Sequence, residues 1–513
     1  MRNTDIARRN LAGLLGIGGL SSAGSPAAAS PAIRAVAAVN VLDHGAVGDG
    51  VRMNTTAIQS AVDACSKRGG AVFFPPGAYL SGTIVLKSGV TLHLSPGSVL
   101  RGSTRLADYP SRVPAMRSYA DNYTDKSLIY AENVHDVGIE GRGVIDGQGG
   151  AFKGDYKLRP YTLRFIGCRN VWVSDVALRD SPMWVQHYLG CENVSIRGVE
   201  VRSRVNLNND GIDIDSCERV RISDCDVWTG DDSIVLKSTT ARPCKDVVIT
   251  NCILSSLCNA LKMGTESNGG FENTAISNCT IYDTTGAAIA LEIVDGGIMD
   301  RVAISNITMR RVGSPIFVRL GDRARPVQEG DPRPPAGQMR NVTIRGVDAV
   351  ECGVSGCTVA GVPHGLIENL TIENVRLSFT GGGKPEDALR DVPEHVDKYP
   401  RQGMFGPVLP AYGLYCRHLR NFKLRDVETR YDGTDGRPAL VADDVDGFEL
   451  AGASLAVDPD SGPCVRLNRV RNGFVHGCRA ASSGHAFLHA AASQDIHLAA
   501  NDLKRARKEI ETA

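Results

Sequence analysis

The sequence predicts an all-β fold in which short parallel strands coil in stacked turns. The first observation is a repeated unit of two β-branched runs separated by a polar or glycine turn, as in CENVSIRGVEVRS from Cys191 and CERVRISDCDVWTG from Cys217. The second is its spacing, because the leading valines of four successive units are 23, 26 and 27 residues apart. These valines are Val171, Val194, Val220 and Val247. The third is that no helical period separates the units, while a propeller blade needs about 40 residues.

Equal positions of successive turns should stack about 4.8 Å apart and form ladders. One ladder carries thiols 27 residues apart, and each thiol follows a polar residue that suits a corner. The thiols are Cys225, Cys252 and Cys279, and the polar residues are Asp224, Asn251 and Asn278. We expect these thiols to point inward as small apolar groups, while a disulfide between Cys352 and Cys357 stays an open alternative.

The first 37 residues are predicted to be an export signal and spacer rather than part of the fold. Arg8 and Arg9 precede an apolar run that is too short to span a bilayer, and small residues follow with plausible cuts after Ala29 or Ala37. The adjacent arginines resemble a twin-arginine signal, and an ordinary secretory signal is the alternative. Either signal predicts a periplasmic or extracellular protein, and no later segment has the pattern of a membrane anchor.

Residues 38–513 are predicted to form one coil domain with a helix at its N-terminal end. The helix, from about Asn54 to Lys67, would cover the open end of the coil, which otherwise exposes a strand edge and the core. The Pro- and Gly-rich segment 381–413 interrupts the spacing. It is predicted to form a long surface loop that walls a groove.

The balance of acidic and basic residues indicates which classes of binding partner are disfavoured. Lys+Arg and Asp+Glu are both 57, so the formal net charge is zero. This balance does not favour nucleic acid or an anionic membrane surface as the main partner.

Three carboxylates in the stretch NNDGIDIDSCERVRISDCDVWTGDDSI are candidates for one acidic site. Asp231 and Asp232 follow Asp210 by 21 and 22 residues, nearly one turn of the coil, so the three should project from one face. Carboxylates at such a separation share acid and base roles at a glycosidic bond. Repulsion and partial burial raise one pKa and leave a protonated acid beside ionised neighbours. The alternative is that they are turn residues, since NDG and GDD are favourable turn sequences.

In its motifs the chain resembles glycoside hydrolase family 28, the polygalacturonase-type enzymes, over most of its length down to about residue 310. The stretches HGAVGDGVRMNTTAIQSAV, IEGRGVIDGQGGAF, RDSPMWVQHYLGCENV, NNDGIDIDSC and GDDSIVLKS follow the family in order. The resemblance implies a right-handed parallel β-helix that hydrolyses a polysaccharide with inversion and without a metal or other cofactor. It implies that Asp231 is the general acid and that Asp210 and Asp232 activate water. Asn208, in the same motif as Asp210, is a candidate for substrate binding.

The chain departs from the family pattern where the substrate is bound. Asn259 stands where the family has the His that supports the acid. Ala288 and Ala290 stand where polygalacturonases carry the Arg-x-Lys pair that binds the uronate carboxylate. We therefore expect hydrolytic residues to be present, while the recognition of plain polygalacturonate stays open.

Further charged and aromatic residues fall close to the acidic site in this register and are candidates for substrate binding. His187 lies 23 residues before Asp210, one turn earlier, and a Lys or Arg on the later turns would pair with a substrate carboxylate. Each also fits a structural role as a solvated corner or a packed aromatic. The candidates are His187, Trp184, Asn259, Lys262, Glu266, Glu292, Asp295, Arg319 and Arg323.

Two other functions fit the predicted fold. A polysaccharide lyase would abstract the C5 proton with a basic residue, usually with Ca²⁺, and the aspartates would then serve as calcium ligands. A non-catalytic β-helix would bind glycan without cleaving it, and the missing His and Arg-x-Lys pair favour that alternative. Polysaccharide hydrolysis remains the leading prediction because three aspartates recur at one-turn spacing.

Overall fold

The computed structural model describes residues 38–458, 461–482 and 484–512. Residues Ala37–Ala513 form one compact unit. The predicted export signal, residues 1–37, lies outside the described residues. Within the described part of the chain, no helix is both long and apolar enough to cross a membrane.

Parallel strands make up most of the described chain, and they follow one another in short turns. The first 23 are β1 Val39–Asn40, β2 Asp49–Met53, β3 Gly70–Phe74, β4 Gly77–Ser81, β5 Ile84–Val85, β6 Val90–Leu94, β7 Ser98–Gly102, β8 Ser127–Glu132, β9 His135–Gly141, β10 Val144–Asp146, β11 Tyr161–Ile166, β12 Arg169–Ser174, β13 Ala177–Arg179, β14 Gln186–Leu189, β15 Glu192–Arg197, β16 Glu200–Ser203, β17 Ile212–Asp215, β18 Glu218–Ser223, β19 Asp226–Thr229, β20 Ile234–Ser238, β21 Cys244–Thr250, β22 Ile253–Ser256 and β23 Leu261–Ser267. Several of the later strands are longer, such as β24 and β25 with 23 residues each, and these continue from one face of the coil to the next. The later strands are β24 Phe271–Ile293, β25 Ile298–Leu320, β26 Gln338–Cys352, β27 Cys357–Ala360, β28 Ile367–Phe379, β29 Leu414–Tyr431, β30 Leu440–Ala451, β31 Ser454–Leu455, β32 Val465–His476, β33 Arg479–Ala480, β34 Gly484–Ala491, β35 Gln494–Ala499 and β36 Ala506–Thr512.

Each turn of the coil adds one strand to each of three faces. The face that matters for the site, called face A, contains β11, β14, β17, β20 and β23 and continues into the end of β24. On the next face, the predicted valine ladder is in register. Its members are Val171, Val194, Val220 and Val247. The prediction of an all-β coil of parallel strands is confirmed.

The corner ladder shows how the polar residues allow the turns to stack. Asp224, Asn251 and Asn278 have φ values of 59°, 57° and 57°, a left-handed region that Asn and Asp tolerate better than other non-glycine residues. Asn251 Nδ2 donates to Asp224 Oδ1 at 3.3 Å, and Asn306 Nδ2 donates to Asn278 Oδ1 at 3.2 Å. The side-chain amides therefore link one turn to the next at the corner.

The cysteines behave as apolar core residues. Cys225, Cys252 and Cys279 are buried, as predicted. All 14 cysteines belong to the described chain and are free thiols, so Cys352 and Cys357 form no disulfide in this structure.

The helix at the N-terminal end, α1, spans Thr55–Ser66. Its buried residues Ile58, Ala61, Val62 and Cys65 repeat at helical spacing along one side, and they belong to the same apolar core as the strands. The helix therefore covers the core at the start of the coil. Among the described residues, six short 3₁₀ helices occupy connections: Val41–His44, Leu106–Asp108, Tyr119–Asn122, Gly149–Ala151, Tyr156–Leu158 and Pro385–Leu389.

The connection between β28 and β29 contains the long loop predicted at 381–413. Its residues Phe405 and Leu409 are buried in an apolar cluster of their own, together with Ala290, Phe317 and Tyr415 on the outer side of face A. Ala290 lies in register with Lys262. The loop therefore covers face A from the turn that follows Lys262 onward.

Candidate active site

The three candidate aspartates and Asn259 lie on three successive turns of the coil, just before strands β17, β20 and β23 of face A. Backbone hydrogen bonds stack these turns, because the Gly211 amide donates to Asp232 O at 2.9 Å and the Ser233 amide donates to Asn259 O at 2.9 Å. Asp210, Asp232 and Asn259 thus occupy equivalent positions on consecutive turns. The stacking places Asp210 within the electrostatic influence of Asp231 and Asp232, so the structure brings the three aspartates together.

Asp232 is held in its ionised form. Its Oδ1 accepts hydrogen bonds from the Asn259 side chain at 2.8 Å and from the Asn259 amide at 3.2 Å, and its Oδ2 lies 2.9 Å from Lys262 Nζ. Burial acts to raise the pKa of Asp232. The charges of Lys262 and Lys237 and these hydrogen bonds outweigh burial and place the pKa below its usual value. Asn259, at the position of the family's His, therefore acts on this carboxylate.

Asp210 has the opposite environment. It is buried, its Oδ1 has no hydrogen-bond partner among the described residues, and its Oδ2 lies 3.9 Å from Lys237 Nζ. Burial and the charges of Asp231 and Asp213 raise the pKa of Asp210 well above its usual value, against the effect of Lys237. Asp213 of β17 is also buried, 3.8 Å from Lys237 Nζ, and burial raises its pKa.

Asp231 combines a raised pKa with partial access to solvent. It is partly exposed, whereas Asp210 and Asp232 are buried. Burial of its carboxyl group and the charge of Asp232 raise the pKa of Asp231. The backbone oxygen of Asp231 accepts hydrogen bonds from the hydroxyls of Thr229 and Ser256, each at 2.7 Å, which fixes the turn. Of the three carboxyl groups, Asp231 fits the role of general acid best.

A chain of alternating charges continues along face A beside the aspartates. Lys237 Nζ lies 3.3 Å from Glu266 Oε2, and Arg325 Nη2 lies 2.9 Å from Glu266 Oε1. Burial opposes the ionisation of Glu266, but the charges of Lys237 and Arg325 lower its pKa. Arg325 Nη1 also donates to the Tyr119 hydroxyl at 2.8 Å. This contact joins the segment after β25 to the segment before β8.

Lys262 joins Asp232 to a second carboxyl group. Glu292 Oε2 lies 3.8 Å from Lys262 Nζ and accepts a hydrogen bond from Thr265 Oγ1 at 3.0 Å. Burial raises the pKa of Glu292 to about 7. The ring of Tyr399, from the long loop, lies 5.8 Å from Lys262 Nζ and is 53% exposed, which makes it the accessible aromatic surface next to this group.

His187 lies beneath the site rather than on its surface. Its ring is 0% exposed, stacks on Tyr161 at 5.5 Å and packs edge-on against Trp184 at 5.2 Å. His187 Nε2 lies 3.2 Å from Asp215 Oδ2, and burial lowers the pKa of the imidazole. Trp184 is buried as well, with its ring centroid 4.7 Å from Lys237 Nζ. Both aromatic rings therefore support the floor of the site.

The remaining candidates have defined partners. Asn208 is partly exposed, and its Oδ1 accepts a hydrogen bond from Arg159 Nη2 at 3.2 Å. Asp295 pairs with Arg323 at 2.5 Å and with Arg325 at 3.0 Å. Arg319 is fully buried and donates to the backbone oxygens of residues 394 and 395, which anchors the long loop.

The two alanines at the family's Arg-x-Lys positions lie under apolar cover. Ala288 belongs to the main core, and Ala290 is 0% exposed beneath Phe405 and Phe317. The basic residues of the network around the aspartates are already paired with carboxylates. They are Lys237, Lys262, Arg323 and Arg325. None of these four residues is therefore a free cation for a uronate carboxylate in the described part of the chain.

Sequence reasoning missed Asp213, Lys237 and Arg325. In the strand GIDID, Asp213 and Asp215 alternate with Ile212 and Ile214, and this period predicts that the two aspartates point to the outer side of face A. The register agrees, because Asp213 pairs with His187 and Lys237 pairs with Asp215. Arg325 lies in an irregular segment, for which no periodic pattern exists.

One group of ligand atoms is compact enough to be tested as a metal centre. Single ligand atoms of Asp231, Asp232 and Cys258 lie within 4.8 Å of one another. Burial and the Asp232 charge raise the pKa of the Cys258 thiol, so it keeps its proton, and Lys262 already occupies one oxygen of Asp232. A protonated thiol beside an ammonium group is a poor donor set for Ca²⁺, which prefers six to eight oxygen ligands.

Comparison with known proteins identifies the family. Residues 65–397 match the family model described as glycosyl hydrolases family 28. The match covers more than half of the chain, so the chain belongs to glycosyl hydrolases family 28.

Relatives of this family share part of the chain. A Vitis vinifera protein named "Probable polygalacturonase" is 33% identical over 299 residues, which cover 53% of this chain and 60% of that relative. The exo-poly-alpha-D-galacturonosidase of Dickeya chrysanthemi is 29% identical over 250 residues, covering 38% of this chain and 41% of that protein. The chain thus spans at most about 60% of the length of these relatives.

Solved structures of the same family have the same fold. The exopolygalacturonase of Thermotoga maritima superposes with a TM-score of 0.57 at 25% identity, covering 67% of this chain and 87% of that chain. The polygalacturonase of Erwinia carotovora superposes with a TM-score of 0.53 at 22% identity, covering 66% of this chain and 93% of that chain. The second likeness supports the fold alone.

Proposed function

We propose that this protein is a glycoside hydrolase that cleaves O-glycosidic bonds of a pectin-related polysaccharide by single displacement with inversion. The observation that carries the proposal is that adjacent buried or partly buried aspartates have pKa values shifted in opposite directions, in a stack that also holds Asp210. The pKa of Asp231 is raised and that of Asp232 is lowered, which supplies an acid and a base on adjacent residues. Membership of family 28 and similarity to a galacturonosidase support the reaction and the substrate class.

In the proposed reaction, Asp231 donates its proton to the glycosidic oxygen as the bond to the anomeric carbon breaks. Asp232 accepts a proton from the water that attacks the anomeric carbon from the opposite side. Asp210, whose carboxyl holds its proton more firmly, orients this water by a hydrogen bond. One water is consumed, and one new reducing end forms. This assignment favours Asp232 over Asp210 as the principal base.

Asn259 and Lys262 are proposed to position that base. Together they donate three hydrogen bonds to the two oxygens of Asp232, which fixes the carboxylate and keeps it ionised. Glu266 and Glu292 are proposed to hold Lys237 and Lys262 in place from the next turns. Asn208, which is partly exposed, and Tyr399, which is exposed, are proposed to contact the sugar directly.

We also propose that the enzyme acts at chain ends. Phe405 and Leu409 cover face A after Lys262, so the long loop closes the site at that end. A polymer that passes through the site needs a groove that is open at both ends, whereas a closed site accepts a terminus.

Export is proposed as well, with residues 1–37 as signal and spacer. Expression with the native N-terminus and N-terminal sequencing of the exported protein test this, with a start after Ala29 or Ala37 expected. A protein that stays in the cytoplasm with its N-terminus uncut would contradict it.

The central experiment incubates the mature protein with pectic and other acidic polysaccharides in the presence of a chelator, with reducing-end assays and mass spectrometry of the products. Saturated products are expected, and Asp231→Asn should abolish turnover while glycan binding is retained. Asp175→Asn is the matched control, because Asp175 is an exposed residue on another face. Unsaturated products that absorb in the ultraviolet would instead indicate a lyase, and binding without products would indicate a non-catalytic glycan-binding coil.

A further inference from the structure

A cationic cavity lies beside the acidic site, on the other side of Tyr123. Its volume is about 460 Å³, and it is lined by residues between 113 and 126 together with Lys157, Leu158 and Arg164. Tyr123 belongs to this lining, and its hydroxyl lies 3.4 Å from Glu266 Oε1 in the network described above. The Tyr123 side chain is therefore a wall that the cavity and the acidic site share.

The charges around this cavity do not cancel. Arg117 pairs with Asp121 at 3.2 Å, and Lys126 pairs with Asp125 at 3.5 Å. Lys157 and Arg164 have no carboxylate within ion-pair distance in the described part of the chain, which leaves an excess of two positive charges.

Arg164 is the residue that indicates a ligand. It is 1% exposed, its Nη1 donates to Thr124 O at 3.0 Å, and its guanidinium lies over the Tyr161 ring at 4.8 Å. Its Nε and Nη2 have no hydrogen-bond partner among the described residues. Buried donors without partners are costly, and a planar guanidinium edge with two free N–H groups matches a carboxylate.

The cavity also lies at a suitable distance from the aspartates. Arg164 is in register with His187, and His187 is in register with Asp213. Two turns of the coil separate Arg164 from Asp213, which is about 10 Å between backbones. This separation is within the length of a short oligosaccharide whose terminal bond lies at Asp231.

We infer that this cavity binds the carboxylate of a uronic acid residue in the polysaccharide that the acidic site cleaves, with Arg164 as the main contact and Lys157 at the entrance. The inference rests on the proposed function. It accounts for the loss of the family's Arg-x-Lys pair, because the recognition of the acidic sugar moves to the opposite side of the aspartates from Ala290. Asp121 and Asp125 at the rim favour a singly charged carboxylate over a doubly charged anion such as phosphate.

The test measures binding by calorimetry with the Asp231→Asn protein, so that oligosaccharides stay intact. The probes are galacturonic acid and trigalacturonic acid, with galactose and acetate as controls for the sugar and for the charge. The variants are Arg164→Gln and Lys157→Gln in the same background. Lys245→Gln serves as the matched control, because Lys245 is an exposed lysine on another face.

We expect trigalacturonic acid to bind, and Arg164→Gln to weaken that binding by about tenfold or more, since a charge-assisted contact is lost. Lys157→Gln should weaken it by about threefold, because this lysine is exposed, and Lys245→Gln should leave it unchanged. Galactose and acetate should each bind far more weakly than galacturonic acid. Lys157→Gln keeps the test meaningful if Arg164→Gln does not fold.

Unchanged binding in both folded variants would overturn the inference, and so would acetate binding as tight as that of galacturonic acid. The outcome is separable from that of the proposed function. A protein that cleaves no glycan but loses galacturonate binding in Arg164→Gln would refute the hydrolase proposal and support the cavity. A hydrolase whose KM for uronate substrates is the same in both variants as in the native protein would support the hydrolase proposal and refute the cavity.

Discussion

Replacing Lys262 by methionine removes the charge next to Asp232 and leaves an unbranched side chain that is one heavy atom shorter. The Lys262 Nζ atom lies 2.9 Å from Asp232 Oδ2, and both side chains are 3% exposed, so water screens this pair weakly. Asn259 still donates to the other oxygen at 2.8 Å after the change. The substitution therefore isolates the electrostatic contribution of one ammonium group to the proposed base.

The magnitude follows from the geometry. With an effective dielectric constant of about 20, two unit charges at this separation interact by about 6 kcal/mol, which is an upper bound. Hydrogen bonds to charged groups, measured by substitution, contribute about 1.5–3 kcal/mol. At about 1.36 kcal/mol per pKa unit, the smaller figure corresponds to a rise of about one to two units in the pKa of Asp232.

The assay is the pH dependence of kcat/KM. The proposed base must be ionised, so activity falls as the pH drops through its pKa, which Lys262 keeps low. Lys262→Met raises that pKa, and the acidic limb of the profile should move up by about one to two pH units. Lys262→Arg should return the acidic limb to its original pH, and Lys245→Met, the matched control, should leave the limb in place. An acidic limb that stays in place in folded Lys262→Met protein would refute the assignment of Asp232 as the ionised base.

Three further predictions use the same site. Asn259→Ala should move the acidic limb upward by less than about one unit, because one neutral donor is lost while Lys262 remains; a shift as large as that of Lys262→Met would contradict this ranking. Glu292 has a pKa raised to about 7, so the folded protein keeps a proton there that the unfolded chain loses above about pH 4.5, and stability falls as the pH rises through this window. Between pH 5 and 8 the native protein should lose up to about 3 kcal/mol of unfolding free energy through this group, and Glu292→Gln should abolish that loss. Calorimetry at both pH values measures the difference. The same pH dependence in the native protein and in Glu292→Gln would show that the pKa of Glu292 is not raised. Chromatography of early products from a long substrate should show monosaccharide or disaccharide, and an initial ladder of long oligomers would refute action at chain ends.

The coil was predictable because its period appears directly in the order of residues. Val171, Val194 and Val220 repeat at one-turn spacing, and the structure pairs them in register. The helix was predicted from about Asn54 to Lys67 and spans Thr55–Ser66, because its apolar spacing is that of a single buried side. The course of the long loop was not predictable, since Phe405 packs on residues more than 80 positions away, such as Phe317.

The candidate site was predictable only where it follows the period of the coil. The positions of Asp210, Asp231 and Asp232 follow from one-turn spacing, whereas Arg325 reaches Glu266 from 59 residues away along an irregular segment. His187 was expected to line the groove. Its burial depends on how Tyr161 and Trp184 pack above it, and such tertiary packing leaves no periodic pattern in the sequence.

The stacking of turns explains how one short acidic stretch acquires different proton affinities. Asp210 and Asp232 occupy equivalent positions one turn apart, so their backbone surroundings are similar. The difference between their pKa values arises from the residues on the following turn. Asp232 is followed in the stack by Asn259 and by Lys262, which donate to it, whereas Asp210 is followed by Asp232 and Asp231, which repel its charge. A change on the turn above a carboxylate therefore alters its pKa without moving the carboxylate itself. On this reasoning, Asn259 and Lys262 tune the base through its charge, while the cavity at Arg164, on the turns before Asp210, recognises the substrate independently of the acid and base.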